Sequence, residues 1–298
     1  MANNGVVYVM NRVISPADYA AVIAPALYNS NTQVVRTVVR ADDSYIQGSD
    51  YSRAPLKQYF STYLKAMQSR FSFFIPEDEG LNTYGYVDPA SMANSKNTSN
   101  FRYFRFRPGD TRGVGGALAV DAWPVTYKPA TGQQPGDKIM NGTTYASPAN
   151  QTLSTGMGAV KRSLLIEMVN HHIIVHGSDD TKGVETAQKY FLSRDGAPVI
   201  VKTSNRGVGM EVNGGLQEQL EGTPAAYTST VKEVYDLTRE TNKGYGNGKT
   251  YILDRPMQAT TVTAYKAIKD HTQFKKFLDL CTGMSTALLE KAGFNAPF

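Results

Sequence analysis

The stretch that most limits what this chain can become is FSFFIPEDEGL at residues 71–81. An aromatic-rich apolar run of strand type stops at Pro76, and Glu77, Asp78 and Glu79 follow at once. Proline cannot donate to a β-ladder but suits the first turn of a helix, where carboxylates meet the positive helix end. The segment predicts a buried strand, a sharp exit and a short helix start capped by the acidic cluster. It holds no nucleophile beside a base and no phosphate loop.

The 298 residues allow one large domain or two ordinary ones. Apolar content of 41% is ample for a core, and 18 Tyr and 12 Phe against one Trp lean toward β-structure. The net charge of +5 is spread along the chain. It favours an acidic surface or a glycan and is far from a nucleic-acid footprint. The single cysteine, Cys281, excludes an internal disulfide and a Cys-based zinc site. Its spacing from Phe274, Phe277, Leu278 and Leu288 makes it a core residue of a helix. Residues 1–20 lack a basic start followed by an apolar run, and no stretch reaches 18 apolar residues.

Residues 4–16 read as a strand launched by Asn4-Gly5, then a helix capped by Ser15 and opened by Pro16, which Pro25 interrupts. Val34, Val35, Val38 and Val39 repeat at helical spacing, and a second apolar stripe follows Pro55. Residues 85–160 are rich in Gly, Ser, Thr, Asn and Pro, and predict small strands or a hairpin-like insertion. Within them, Phe101, Arg102, Tyr103, Phe104, Arg105, Phe106 and Arg107 interleave rings with cations. Together with Trp123 and Tyr127 they are the candidate ligand face, because rings stack and arginine pairs with anions. The competing reading is a half-buried strand with its arginines in water. The glycine cluster 113–116 lacks the Lys-Ser/Thr of a phosphate loop. The sequons at Asn97, Asn141 and Asn150 mark exposed polar loops.

Helical spacing returns at Leu164, Leu165 and Met168. It gives way to NHHIIVHG at 170–177, read as a strand. On a strand His172 and His176 would lie about 13 Å apart, too far for one zinc ion. The expectation is a hydrogen-bonded structural His172, with no metal and no cofactor. Residues 190–256 read as successive strands, with a hairpin turning at Asp195-Gly196. The last of them, NGKTYILDR at 247–255, repeats NGVVYVMNR at 4–12 without a gap, which suggests a tandem array of one domain type.

Three segments together resemble the fasciclin-type adhesion domain. They are residues 72–81, the aromatic-His-apolar segment His171-His172-Ile173-Ile174-Val175, and the closing segment from Asn247 to Pro256, an Asn-Gly and an apolar strand ending in Asp and later Pro. His172 stands at the family histidine, while His171 departs from the usual tyrosine. Phe73, Pro76, Asp78, His171, His172, Asn247, Gly248 and Asp254 are the matched positions, read as structural. The enlarged insertion is similar to that of Bacteroides-like envelope lipoproteins. The resemblance implies an α+β fold, a two-sheet β-wedge or sandwich with packed helices, plus a β-rich insertion. It implies a domain over 17–260, the last strand of a preceding domain at 1–16 and the opening helices of a following one at 261–298.

The implied function is a non-enzymatic cell-surface module binding extracellular protein or glycan. Its partners would include neighbouring fasciclin-type domains. It would take no nucleic acid, and would reach the membrane only through an anchor outside this chain. The implied location is extracellular, at a bacterial outer membrane or periplasmic face, with export by a signal not present in this chain. The alternative is a glycan-capture component of an outer-membrane nutrient system, with the insertion as its ligand face. No catalytic constellation is visible in the sequence. Asp179-Asp180 reads as a solvated turn and His271 as an exposed helical residue.

Overall fold

The computed structural model describes residues 17–40, 60–88, 91, 102–112, 118–126, 157–238, 246–260 and 272–276. The strand and cap expected at 4–16, the polar loop at 41–54, the glycine cluster, the three sequons, Phe101, Tyr127, His271 and Cys281 lie outside the described residues. The chain divides into two compact units, Met1–Ala259 and Thr260–Phe298. The second contributes a short 3-10 turn at Thr272–Phe274.

The first unit is mixed α and β. Its helices are α1 (Ala17–Ala20), α2 (Ala24–Tyr28), α3 (Gln33–Arg40), α4 (Ser61–Leu64), α5 (Asp78–Thr83), α6 (Met157–His171) and α7 (Gly215–Gln219). Its strands are β1 (Arg70–Pro76), β2 (Tyr86–Val87), β3 (Arg102–Arg112), β4 (Leu118–Thr126) and β5 (Ile173–His176). They continue with β6 (Tyr190–Leu192), β7 (Pro198–Val201), β8 (Glu211–Gly214), β9 (Ser229–Leu237) and β10 (Gly248–Leu253). Seven strands form one sheet in the order β5-β1-β10-β9-β8-β7-β6. An antiparallel bridge between Ile174 and Ser193 brings its two ends together, so the sheet nearly closes on itself. Two sheets were expected; one sheet runs continuously through the nine-residue strand β9, which pairs with β10 along most of its length and with β8 at its start.

This closure explains the run at 71–75, apolar except for Ser72. β1 pairs in parallel with β10, Phe71 opposite Gly248 and Ile75 opposite Ile252, and antiparallel with β5. Successive side chains of a strand point to opposite faces. Phe71, Phe73 and Ile75 join Val22, Val34, Val38, Leu64 and Leu165 in one core under the helices. Phe74 instead meets Tyr251, Ile174, Val199, Val212 and Leu253 in a second core inside the curled sheet. Its ring stacks on Tyr251 at 4.9 Å. Both faces of β1 are therefore dry, and alternation with polar residues is absent because neither face meets water.

The insertion holds a separate three-stranded sheet, β2-β3-β4. It is fastened to the main body from within. Phe104, Phe106 and Tyr86 are part of the helix-side core. The buried Gln258 amide accepts from the Val87 N–H (2.9 Å) and donates to the Gly85 carbonyl (3.1 Å).

Two local expectations change. Pro25 does not interrupt a helix; it sits in the first turn of α2, where its missing N–H has no partner to lose. Residues 170–176 are not one strand, because α6 continues through His171 and β5 begins only at Ile173.

Candidate functional site

The Arg–aromatic strand is not an open platform. Tyr103, Phe104 and Phe106 are at most 1% exposed. The Tyr103 ring packs against Val87, Leu216, Leu220 and Ala225, on the face opposite Phe104. Arg105 is also buried and donates Nε–H to the Asn82 carbonyl of α5. Arg102 is ion-paired with the buried Asp88 carboxylate and lies 5.5 Å from the Phe104 ring centre. Arg107 is half-buried, with its Cα opposite Asp121. The Trp123 backbone faces Arg105 across β3 and β4. The rings of Tyr103, Phe104 and Phe106 are committed to two cores and cannot stack on a ligand. For these residues and Arg105, which turns inward, the ligand-face reading is corrected, while Arg102 and Arg107 are half-buried as the competing reading expects.

The signature positions, by contrast, converge. The strands in or beside which they lie, β5, β1 and β10, are neighbours, although the segments are far apart in sequence. Asn247 is fully buried. Its Oδ1 accepts from the Val22 N–H (2.8 Å), and its Nδ2 donates to the carbonyls of Leu64 (2.8 Å) and Ala66 (3.3 Å). Gly248 follows at φ 152°, where a Cβ would stand 1.9 Å from the Phe71 carbonyl oxygen. Phe73 pairs with Thr250 and Ile173, and Pro76 ends β1 opposite Leu253. Asp254 accepts from the Thr230 N–H at 2.7 Å.

Asp78 caps a helix, but not its own. Its two carboxylate oxygens accept from the Gln33 and Val34 N–H groups at the start of α3, each at 2.8 Å. Burial raises its carboxyl above the usual range, against the two amides that favour its ionised form. Glu77 bridges Asn31 (2.8 Å) and Lys232 (2.7 Å) instead of capping, and Glu79 accepts from the Thr83 hydroxyl.

His172 closes α6. Its Nδ1–H donates to the Met168 carbonyl (2.6 Å), and Nε2 accepts from the Met257 N–H (2.9 Å). The second contact needs a bare nitrogen, so the ring is neutral. Burial first, then the neighbouring His171, pulls its pKa down to about 3. His171 is equally buried. Its Nδ1 lies 3.6 Å from Asp195 Oδ1, and neither ring nitrogen has a hydrogen bond among the described residues.

One constellation escapes any sequence motif. Ser72 Oγ is 2.9 Å from His176 Nε2, and His176 Nδ1 is 3.4 Å from Asp180 Oδ2. The order is that of a serine–histidine–aspartate relay, but access is lacking. Ser72 is fully buried in the middle of β1, and Gly183, at φ 57°, stands over it so closely that a Cβ would be 2.7 Å from Oγ. An acyl donor has no space beside that oxygen. Asp180 also accepts from the Lys182 and Gly183 N–H groups, so it shapes the turn that was expected to be merely solvated. The relay fastens β5 and this turn to β1. Among the described residues, no group of three or more His, Cys, Asp or Glu side chains could hold a metal ion.

A cleft of about 820 Å³ opens beside this turn, lined by Lys182, Glu185, Thr186, Lys189, Lys202, Thr203, Ser204 and Arg206. Glu185 ties it to the central strand, accepting from Lys249 Nζ (2.6 Å) and the Tyr251 hydroxyl (3.0 Å). No local pattern could have found this site. Its cations come from the turn, the two ends of the β6–β7 hairpin and the loop that follows, and they meet when that hairpin pairs. No protein-family model, curated protein or solved structure matches this chain.

Proposed function

We propose that this chain is a non-enzymatic binding module of the fasciclin type, acting at a cell surface on an extracellular protein or glycan. One observation supports it above others. The three segments that resemble the family's signatures contribute the adjacent strands β5, β1 and β10, with buried contacts between them. The His172 carbonyl accepts from the Phe74 N–H (2.9 Å), its ring receives the Met257 N–H, and β10 lies in register beside β1. Chance likeness in three separate segments gives no reason for them to meet. The buried relay agrees with a scaffold whose polar groups are spent on architecture, leaving recognition to the surface.

The test is a binding screen of the purified chain over immobilised matrix proteins and glycans. Saturable binding without chemical change of the captured molecule is expected. Absence of saturable binding to every class, or turnover of a captured ligand, would overturn the reading. The insertion is not removed in this experiment, because Phe104 and Phe106 belong to the core.

A further inference from the structure

We infer that the cleft beside the 177–189 turn is a binding site for an anionic saccharide, a short sugar segment bearing sulfate or carboxylate groups. This deepens the binding-module reading and rests on it for its biological sense.

The lining of the cleft is rich in positive charge. Lys182, Lys189, Lys202 and Arg206 all line the cleft, against the single carboxylate of Glu185. That carboxylate is already engaged on both oxygens by Lys249 and Tyr251, so it does not serve the cleft's own cations. Lys202 is held by Glu218 and Glu221. Lys182 and Lys189 are exposed, and no ion pair joins either to a carboxylate among the described residues.

Arg206 adds charge without consuming it. Its Nε donates to the Thr186 carbonyl (2.8 Å), Nη1 to the Thr203 carbonyl and Nη2 to the Gln188 carbonyl (3.4 Å). Neutral carbonyls orient the guanidinium and leave its positive charge uncompensated. They also tie the two walls of the cleft together, so the site is formed before a ligand arrives, which lowers the entropic cost of binding.

The same contacts decide the ligand class. A lone phosphate prefers a free arginine fork, and here the fork is occupied. The free cations are two lysines, compact point charges that suit anions spaced along a chain. Among the described residues no aromatic ring lines the cleft, so none of them would stack on nucleic-acid bases. Thr186 and Ser204 supply hydroxyls for sugar hydroxyls, while the Thr203 hydroxyl already donates to the Asn205 carbonyl and accepts from the Glu211 N–H. The volume falls within the roughly 300–1,000 Å³ typical of small-ligand sites.

The test titrates the full chain with three oligosaccharides of equal length: a sulfated glucosamine–uronate, a polygalacturonate and a neutral glucan. One or both charged oligomers are expected to bind, more weakly as salt rises, while the neutral one does not. The double variant Lys182→Ser/Lys189→Ser should lose at least tenfold in affinity with an unchanged unfolding midpoint. Lys275→Ser/Lys276→Ser removes the same charge from exposed positions in the other unit and should change affinity less than twofold. The sulfated and carboxylated arms identify the anion. Binding to neither charged oligomer, or equal loss in both double variants, overturns the cleft inference. If the chain then still captures a matrix protein, the binding-module reading stands alone. If it captures nothing, both fall.

Discussion

Replacing Asn247 with alanine is the sharpest probe of this architecture, because one side chain holds three segments. The substitution leaves the Val22 N–H and the Leu64 carbonyl without their partner in a water-free interior. The Ala66 carbonyl still accepts from the Ser69 N–H, so it is not orphaned. Each stranded buried group costs about 1–3 kcal/mol, and the space left by the amide adds to this. A loss of about 3–5 kcal/mol is expected. Urea unfolding measures it as a shift in midpoint at constant slope. Hydrogen exchange locates it, since the Val22 amide should lose protection beyond the global change. A loss below about 1 kcal/mol, or a Val22 amide that stays as protected as its neighbours in α2, would refute the clamp.

Gly248→Ala should destabilise by about 3 kcal/mol or more, because its Cβ meets the Phe71 carbonyl of a neighbouring strand that cannot move aside; an unchanged thermal midpoint would contradict this. Acid should weaken the fold well above the carboxylate range. Burial lowers both His172, to about 3, and His176, in the latter against Asp180. A histidine kept neutral when folded gives its full stability above about pH 6.5, and loses it as pH falls toward the folded pKa. For His172 the slope approaches about 1.4 kcal/mol per pH unit. Urea midpoints that stay level from pH 6.5 to 4.5 would count against it, and His172→Gln should flatten the dependence while lowering stability at pH 7. Asp78→Ala should cost about 1–2 kcal/mol by uncapping α3. Early exchange of the Gln33 and Val34 amides, with those of α5 unaffected, would distinguish this from loss of a cap on α5.

The strands at 71–76, 198–201 and 248–253 and the valine helix at 33–40 were legible because their patterns are local. The Asn-Gly pair was also visible, as the opening of a strand and as a structural signature match, but without the contacts that it makes. The asparagine's work is done across more than two hundred residues, on Val22, and no short window contains both partners. Asp78 misled for the same reason: acid after Pro76 suggests a cap on the helix that follows, whereas its acceptors turn toward α3. The Arg–aromatic strand failed differently. Alternation assumes one wet face, and β3 has Tyr103 buried on one side and Phe104 on the other. The helix-to-strand change at His171–Ile173 was hidden because β-branched residues fill β5 while the histidines before it suit either state. The cleft was illegible because surface lysines carry no spacing rule.

The position of β10 has a consequence for how the protein is made. Among the described strands of its sheet this one is synthesised last, yet it must slide between β1 and β9. Until it does, each of those strands presents an open edge, a template for any passing chain. The parallel partnership with β1 closes a very long loop, which slows folding and prolongs the exposure. Two nascent copies held close together can exchange this strand, giving a swapped dimer with every native contact intact. Refolding should therefore be clean when dilute and yield dimers when concentrated. In the cell, spacing between ribosomes and the presence of holding chaperones would govern the yield of monomer as much as stability does.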